Sequence, residues 1–308
     1  MDTGMGTGMG TGMGIGGLRA ALRPRLREAR RSMALLYRNK LTFVSMAVCV
    51  LLALVAILAP VIVPYPGHVG TETNPSDKLM PPSASHFFGT DEQGRDVFSR
   101  VVYGTRISLQ TALVAVGLAL LIGIPLGAAA GFLGRAADEA IMRVTDIFLS
   151  FPPLLLSIAI AALMGPNLGN AMVAIALSWW PWYTRLIRGS AVSVKERQFV
   201  KAAEAIGAGP FHTITRHIIP NCIAPVIVQA SMDIGGVILT IASLSFLGLG
   251  AQAPTPEWGL MISTSRNYFM DSWWYSIFPG LAIFIAVLVF NLLGDGLREI
   301  LDPKTRKL

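Results

Sequence analysis

Asp233 is the residue whose setting most demands a chemical explanation. It is the lone charged residue between Ile218 and Pro256, flanked by Ser231 and by Gly235-Gly236. A carboxylate inside an apolar run is expensive and by default marks a functional site. Asp233, with Ser231 beside it, could face a translocation path, or it could hydrogen-bond a neighbouring helix. Proteolysis within a membrane would need a second aspartate at matching depth. Asp146 and Asp295 lie at the ends of apolar runs instead, so no convincing pair forms. An ion-coupled carrier or channel would show ionisable groups in several spans or an inverted repeat, and neither is visible. The chain also lacks a phosphate-cradling Gly-x4-Gly-Lys-Ser/Thr loop. If a nucleotide drives this protein, another polypeptide binds it.

Two further groups could carry chemistry. Gly89-Thr90-Asp91-Glu92-Gln93-Gly94-Arg95-Asp96 holds three acidic residues, but Gly94 and Arg95 interrupt them and the ligand count is short for Ca²⁺. The expectation is structural: Thr90 caps a following helix with Asp91 and Glu92 in its first turn. Cys49 and Cys222 match neither a metal-ligand spacing nor a disulfide framework and read as small core residues. No metal site is expected.

The remaining polar feature is a basic island from Arg185 to Pro220, lying between long apolar stretches. Lys195 to Ile206 is rich in helix formers, and Gly207-Ala208-Gly209-Pro210 stops it. Ala202, Ala203 and Ile206 offer a small apolar surface, Lys201 and Glu204 offer polar anchors, and Gly207 permits a sharp change of direction. A second helical piece, Phe211 to Ile219, leads back to Pro220. These features suit a helix gripped by something outside the membrane. A plain amphipathic interfacial helix is the alternative.

The elements that must position these residues are apolar helices. The chain has 308 residues, 53% hydrophobic and 14% charged, against about a quarter charged in soluble domains. Leu41–Gly67, Ile107–Gly134, Ile147–Thr184 and Ser272–Gly294 contain no Asp, Glu, Lys or Arg. A span needs about 20 such residues, and Gly165-Pro166-Asn167 splits the longest run into a hairpin. The spans are therefore expected near 42–64, 107–133, 143–164, 168–188, 222–250 and 274–296. The alternation of a membrane β-barrel is absent. The fold class is an all-α integral membrane protein with about six transmembrane helices. Of 25 basic residues, the face opposite the termini holds only Lys78, Arg95, Arg100, Arg106 and Arg266. Positive charge therefore places both termini and the island in the cytoplasm. The basic residues are not interleaved with aromatics, so no nucleic-acid partner is expected.

Along the chain, residues 1–18 are a flexible Gly/Met/Thr tail and 19–41 a basic cytoplasmic helix. A transmembrane domain covers 42–298, with external loops 65–106 and 251–273 and a cytoplasmic loop 189–220, and 299–308 is a cytoplasmic tail. In the second external loop, Pro254 and Pro256 end a helix before Glu257-Trp258.

At the island the sequence resembles a family. Lys201-Ala202-Ala203-Glu204-Ala205-Ile206-Gly207 through Ile219-Pro220 resembles the cytoplasmic "EAA" loop of ABC importer permeases, whose pattern is Glu-Ala-Ala, three residues, Gly, then nine residues before Ile-x-Leu-Pro. Ala202, Ala203, Gly207 and Pro220 fall in register, while Lys201 replaces the leading Glu, His217 the Ile and Ile219 the Leu. Phe88 to Val97, Ser243 to Gly250, and Pro254-Thr255-Pro256-Glu257-Trp258-Gly259 resemble the subgroup that imports dipeptides, oligopeptides and nickel, most like the "C" permease of a peptide importer. The resemblance covers approximately residues 30–305. It implies a permease of the type I importer kind in a bacterial plasma membrane, with a coupling helix between spans 4 and 5 formed by Lys201 to Gly207 and Pro220. It implies as partners a paralogous permease in a heterodimer, two cytoplasmic ATPases that bind the ATP and Mg²⁺, an external solute-binding protein and membrane lipid. The chain itself would hold no cofactor and perform no catalysis. Gly89, Thr90, Asp91, Gly94, Arg95, Asp96, Pro254, Glu257 and Trp258 would meet the binding protein or the partner permease. The substrate would be peptide, with nickel or another small solute as the alternative.

Overall fold

The computed structural model describes residues 40–301. The expected tail 1–18, residues 19–39 of the basic segment and residues 302–308 lie outside the described residues. Within them the chain is helical, and its β structure is one isolated bridge between Thr90 and Asp96. The long elements are α1 Lys40–Ile62, α2 Val97–Leu133, α3 Arg135–Leu149, α4 Pro153–Met164 and α5 Leu168–Lys195. After them come α6 Gln198–Ala205, α7 Pro210–Phe246, α8 Trp258–Ser265 and α9 Trp273–Leu301.

By length and composition, α1, α2, α7 and α9 can each cross a membrane. The other expected spans differ from the sequence reading. Residues 143–164 are not one straight helix: α3 and α4 meet at 87°. Pro152 and Pro153 each remove a backbone donor, and a residue before proline is pushed out of the helical region. The break therefore falls at Ser150–Pro152. α5 is 28 residues long but less apolar than the four spans. It compensates by being interior. Ala171, Ala174, Ile175, Tyr183, Ile187 and Ala191 are all fully buried, so this helix meets protein where α1 meets solvent or lipid. α2 also begins earlier than expected, taking residues 97–106 out of the first external loop. The second helical piece of the island is not separate. It runs into α7, with a π turn at Ile214–Ile218 immediately before Pro220. Such a turn absorbs the missing N–H and the ring clash of a proline inside a helix.

The packing centres on α2 against α5, the most extensive helix pair. Lipid tails are as apolar as leucine, so helices associate in a membrane through close van der Waals contact, which small residues permit. Gly123, Gly127 and Gly131 form a ridge along α2 with helical spacing. A Cβ on Gly123 would lie 2.6 Å from the Tyr183 Cβ, one on Gly127 would lie 2.5 Å from the Thr184 carbonyl, and one on Gly131 would lie 2.7 Å from the Ala191 Cβ. The α5 backbone thus lies directly on the α2 backbone. Gly117 on the same helix faces open space. Gly127→Leu is expected to lower the yield of folded protein by at least about threefold, as over-packing costs ~1–3 kcal/mol. Gly117→Leu should leave it unchanged. Size-exclusion yield and thermal melting of the purified protein check this.

Candidate functional site

Three places hold the residues singled out by the sequence. The first is a cap over the external end of the helices. Asp91 is buried, and its carboxylate accepts from the backbone N–H of Gln93 (2.8 Å) and Arg95 (2.9 Å) and from the Arg95 Nε (2.6 Å). The Arg100 Nε lies 3.6 Å away. Asp91 is therefore the counterion of two buried arginines and does not sit in a helix first turn. Nor is Thr90 the helix cap. That role belongs to Asp96, which accepts from the Ser99 N–H at 2.7 Å and pairs with the His86 Nδ1 at 2.9 Å. The Thr90 hydroxyl bonds instead to the Asp77 carbonyl, and its own carbonyl accepts from the Trp274 indole (3.2 Å). Helix α2 waits for Asp96 because Gly94, with φ +73°, keeps the preceding segment in a tight loop whose N–H groups turn onto Asp91.

The second external segment closes on the first. The Arg100 guanidinium donates to the carbonyls of His68 (3.0 Å) and Pro254 (3.2 Å), and the Trp258 indole donates to the Val101 carbonyl (3.0 Å). Glu257 caps α8 by accepting from the Gly259 and Leu260 N–H groups. Its burial pushes the carboxyl above the usual range in spite of those bonds. Of the expected external contacts, Gly89, Thr90, Asp91, Gly94, Arg95, Asp96, Glu257 and Trp258 are buried inside this chain, and Pro254 is exposed. They build the cap; apart from Pro254 they do not offer a surface. His68, His86, Arg100 and Trp274 complete it. The sequence carried no local signal for these four, because each acts across a long separation in the chain.

The second place is the loop between α5 and α7, which the sequence places in the cytoplasm. α5 ends at Lys195, whose ammonium donates to the Phe132 carbonyl at 2.6 Å and lies over the Phe132 ring, tying α5 to the end of α2. The chain breaks at Glu196-Arg197, so the island's helix is α6 and not one run from Lys195. Lys201 pairs with Glu196 at 2.7 Å, and this bond holds the exposed Glu196 carboxyl below its ordinary range. α6 ends in a glycine cap: Gly207 has φ +88°, and the Ala208 N–H donates back to the Ala203 carbonyl (3.0 Å). Left-handed geometry there suits a residue without Cβ. Val200 is buried in a cluster with Ile187, Ala191, Ile218 and Cys222, and Ala203 is buried as well. Ala203 thus faces its own chain and not a partner, while Ala202, Glu204, Ala205 and Gly207 are exposed. Ile206 is 87% exposed, and Phe211, which the sequence reading passed over, is 81% exposed. Pro220 is exposed one turn above the π segment.

The third place surrounds Asp233. A cavity of about 680 Å³ is lined by Pro153, Trp179, Trp182, Arg185, Leu186, Gln229 and Asp233. Gln229 donates to Asp233 at 2.9 Å. Arg185 is held at the rim by Asp146 at 2.6 Å. Ser231 is not among the lining residues. Its hydroxyl bonds to the Ile227 carbonyl of its own helix. Cys222 and Cys49 are unbonded thiols, as expected of packing residues.

Four helices long and apolar enough to cross a membrane, a turn with two exposed apolar side chains and a cavity holding one carboxylate characterise a membrane protein of the transporter kind. Residues 123–307 match the family described as binding-protein-dependent transport system inner membrane component, and residues 27–82 match the N-terminal transmembrane domain of oligopeptide transport permease C. The chain belongs to the first of these families and is a permease subunit of an ABC importer. It is 48% identical over 277 residues to the dipeptide transport system permease protein DppC of Alkalihalophilus pseudofirmus, covering 90% of each chain. It is 48% identical over 266 residues to the probable D,D-dipeptide transport system permease protein DdpC of Escherichia coli, covering 86% of this chain and 88% of the relative. The nickel transport system permease protein NikC of Escherichia coli is 40% identical over 259 residues, with 84% and 92% covered. The fold is similar to that in a structure of the MetNI methionine ABC transporter in inward-facing conformations, with TM-score 0.53, 17% identity, and coverage of 66% of this chain and 97% of that one.

Removing the Asp91 carboxylate would leave Arg95 and Arg100 buried without their counterion. Asp91→Ala is expected to cost about 3–5 kcal/mol, read as a large drop in the melting temperature of the purified protein. Exposed Gln93→Ala should melt like the unsubstituted chain.

Proposed function

We propose that this chain forms half of the transmembrane path of a peptide importer, beside a paralogous permease. Two cytoplasmic ATPases drive it and an external binding protein supplies it. Both termini lie in the cytoplasm, as the basic residues require. ATP and Mg²⁺ belong to the ATPases, and the chain performs no hydrolysis of its own. Peptide is preferred over nickel because the relatives named for dipeptides are more alike in sequence than the one named for nickel.

One observation carries the coupling role: Ile206 and Phe211 are exposed on either side of Gly207 while Val200 packs the same segment into the helical core beside Ile187, Ala191, Ile218 and Cys222. Scattered apolar residues on a surface are ordinary, but these two flank a turn on a charged, water-facing loop. A cleft on an ATPase would cover them. Nucleotide-driven closure of the ATPases then moves the turn, and the buried side carries that motion into α5, α2 and α7 as a hinge-and-shear change between inward-facing and outward-facing states. Lys201 serves this by pairing with Glu196, which stiffens the entry to α6.

Ile206→Asp combined with Phe211→Asp is expected to leave membrane insertion intact and to abolish co-purification of the ATPases and dipeptide uptake. Gly207→Trp should also abolish coupling, because a side chain at φ +88° strains the glycine cap and the indole would project toward the partner. Normal uptake in proteoliposomes by either variant would overturn the coupling role.

A further inference from the structure

The cavity at Asp233 has the make-up of an ammonium site. Asp233 lies about midway along the expected span 222–250, where a charge is costly. Among the described residues no cation pairs with it: the nearby Arg185 is engaged with Asp146. Its one hydrogen-bond donor of ordinary length is Gln229 at 2.9 Å. The buried Tyr183 hydroxyl is the other neighbour of the carboxylate, close enough to interact with it but outside strict hydrogen-bond geometry. Two of the other lining residues carry indoles. Trp179 and Trp182 line the cavity, and Trp182 is 52% exposed to it and to the surface beyond. A carboxylate facing aromatic rings is the chemistry that holds a protonated amine, through one charge-assisted bond and cation–π attraction. At about 680 Å³ the space falls within the range of small-molecule sites.

We infer that Asp233, steadied by Gln229 and faced by Trp179 and Trp182, receives the α-ammonium group of a peptide during its passage, with Arg185 at the rim turning the peptide's carboxylate end away from Asp233. The inference rests on the peptide reading above. It makes Asp233 a selective waypoint: a solute with a free amino terminus neutralises the buried carboxylate, and one without it leaves the charge unpaired. The bond is transient, because Gln229 remains on the carboxylate once the peptide moves on.

The test uses the complete importer in nanodiscs without its binding protein. It is titrated with dialanine or with N-acetyl-dialanine and followed by tryptophan fluorescence. The unsubstituted complex is expected to bind dialanine about tenfold more tightly than the acetylated form, the order of one charge-assisted hydrogen bond. Asp233→Asn should bring the two affinities together, and Asp233→Glu should restore the preference. The preference ratio is the readout, so a general loss of folded protein does not mimic the result. Equal binding of both compounds by the unsubstituted complex, no binding of either, or an unchanged preference in Asp233→Asn would overturn the inference. Uptake into proteoliposomes with the binding protein present separates the two levels. If dipeptides are imported but the preference fails, the waypoint alone falls. If no dipeptide is imported, the peptide reading fails and the waypoint falls with it.

Discussion

Close approach of α2 to α5 is the constraint on which the rest of this structure depends. In a bilayer there is no hydrophobic gain from bringing two apolar helices together. What remains is contact, and contact is strongest where one backbone lies on another. Gly123, Gly127 and Gly131 supply that along three successive turns of α2, each directly below the α5 backbone or a Cβ of that helix. α5 in turn carries Trp179 and Trp182 into the cavity, Arg185 to its rim and Lys195 to the start of the cytoplasmic loop. A shift of α5 on α2 would therefore move the cavity and the loop together.

The external cap fixes the other end of the same pair. α2 begins where Asp96 caps it, and the residues just beyond tie it sideways. Arg100 reaches the Pro254 carbonyl, and Trp258 reaches the Val101 carbonyl. Phe88 stacks on Phe278 of α9 with ring centroids 3.8 Å apart. A buried arginine pair needs its counterion in place, and removing one partner of such a network costs far more than the network adds over an apolar core. The energetic value of Asp91 thus lies in specifying one arrangement of the cap, more than in raw stability. With both ends of α2 held, any motion of α2 against its neighbours must take the form of tilting and sliding of whole helices.

Much of this was legible in the sequence, for reasons that name particular residues. Charge-free runs marked α1, α2 and α9, and a run broken only by Asp233 marked most of α7, because lipid tolerates little else. The island was visible because Lys201 and Glu204 to Gly207 interrupt that pattern. Other features depended on what a helix packs against, and sequence periodicity is silent on that. The bend between α3 and α4 needed Pro152-Pro153 to be read as a break inside an apolar run. α5 looked like one more span, and its fully buried alanines and Tyr183 show it to be the interior member. Thr90 and Asp96 are both plausible caps by residue type. The choice between them was made by Gly94 and by His86, which holds the other Asp96 oxygen. The glycine ridge was present in the sequence as Gly at 123, 127 and 131, with the spacing that permits close helix approach, but its partner helix could be assigned only in three dimensions.

The cytoplasmic loop and the Asp233 cavity differ in how they tolerate polarity, and that difference separates their roles. The loop lies in water, so Glu196 and Lys201 are hydrated whether or not they pair, and such exposed pairs are weak. The unusual groups there are apolar: Ile206 and Phe211 remain exposed beside side chains that are buried. In the cavity the balance is inverted. Apolar indoles are at home among helices, and the carboxylate is the unusual group. Each site leaves unsatisfied the kind of surface its surroundings least tolerate. A hydrophobic partner surface relieves the first and a cation relieves the second. On the proposed reading the loop is thereby matched to a lasting protein neighbour, whereas a site relieved by one small cation can be filled and emptied in every cycle.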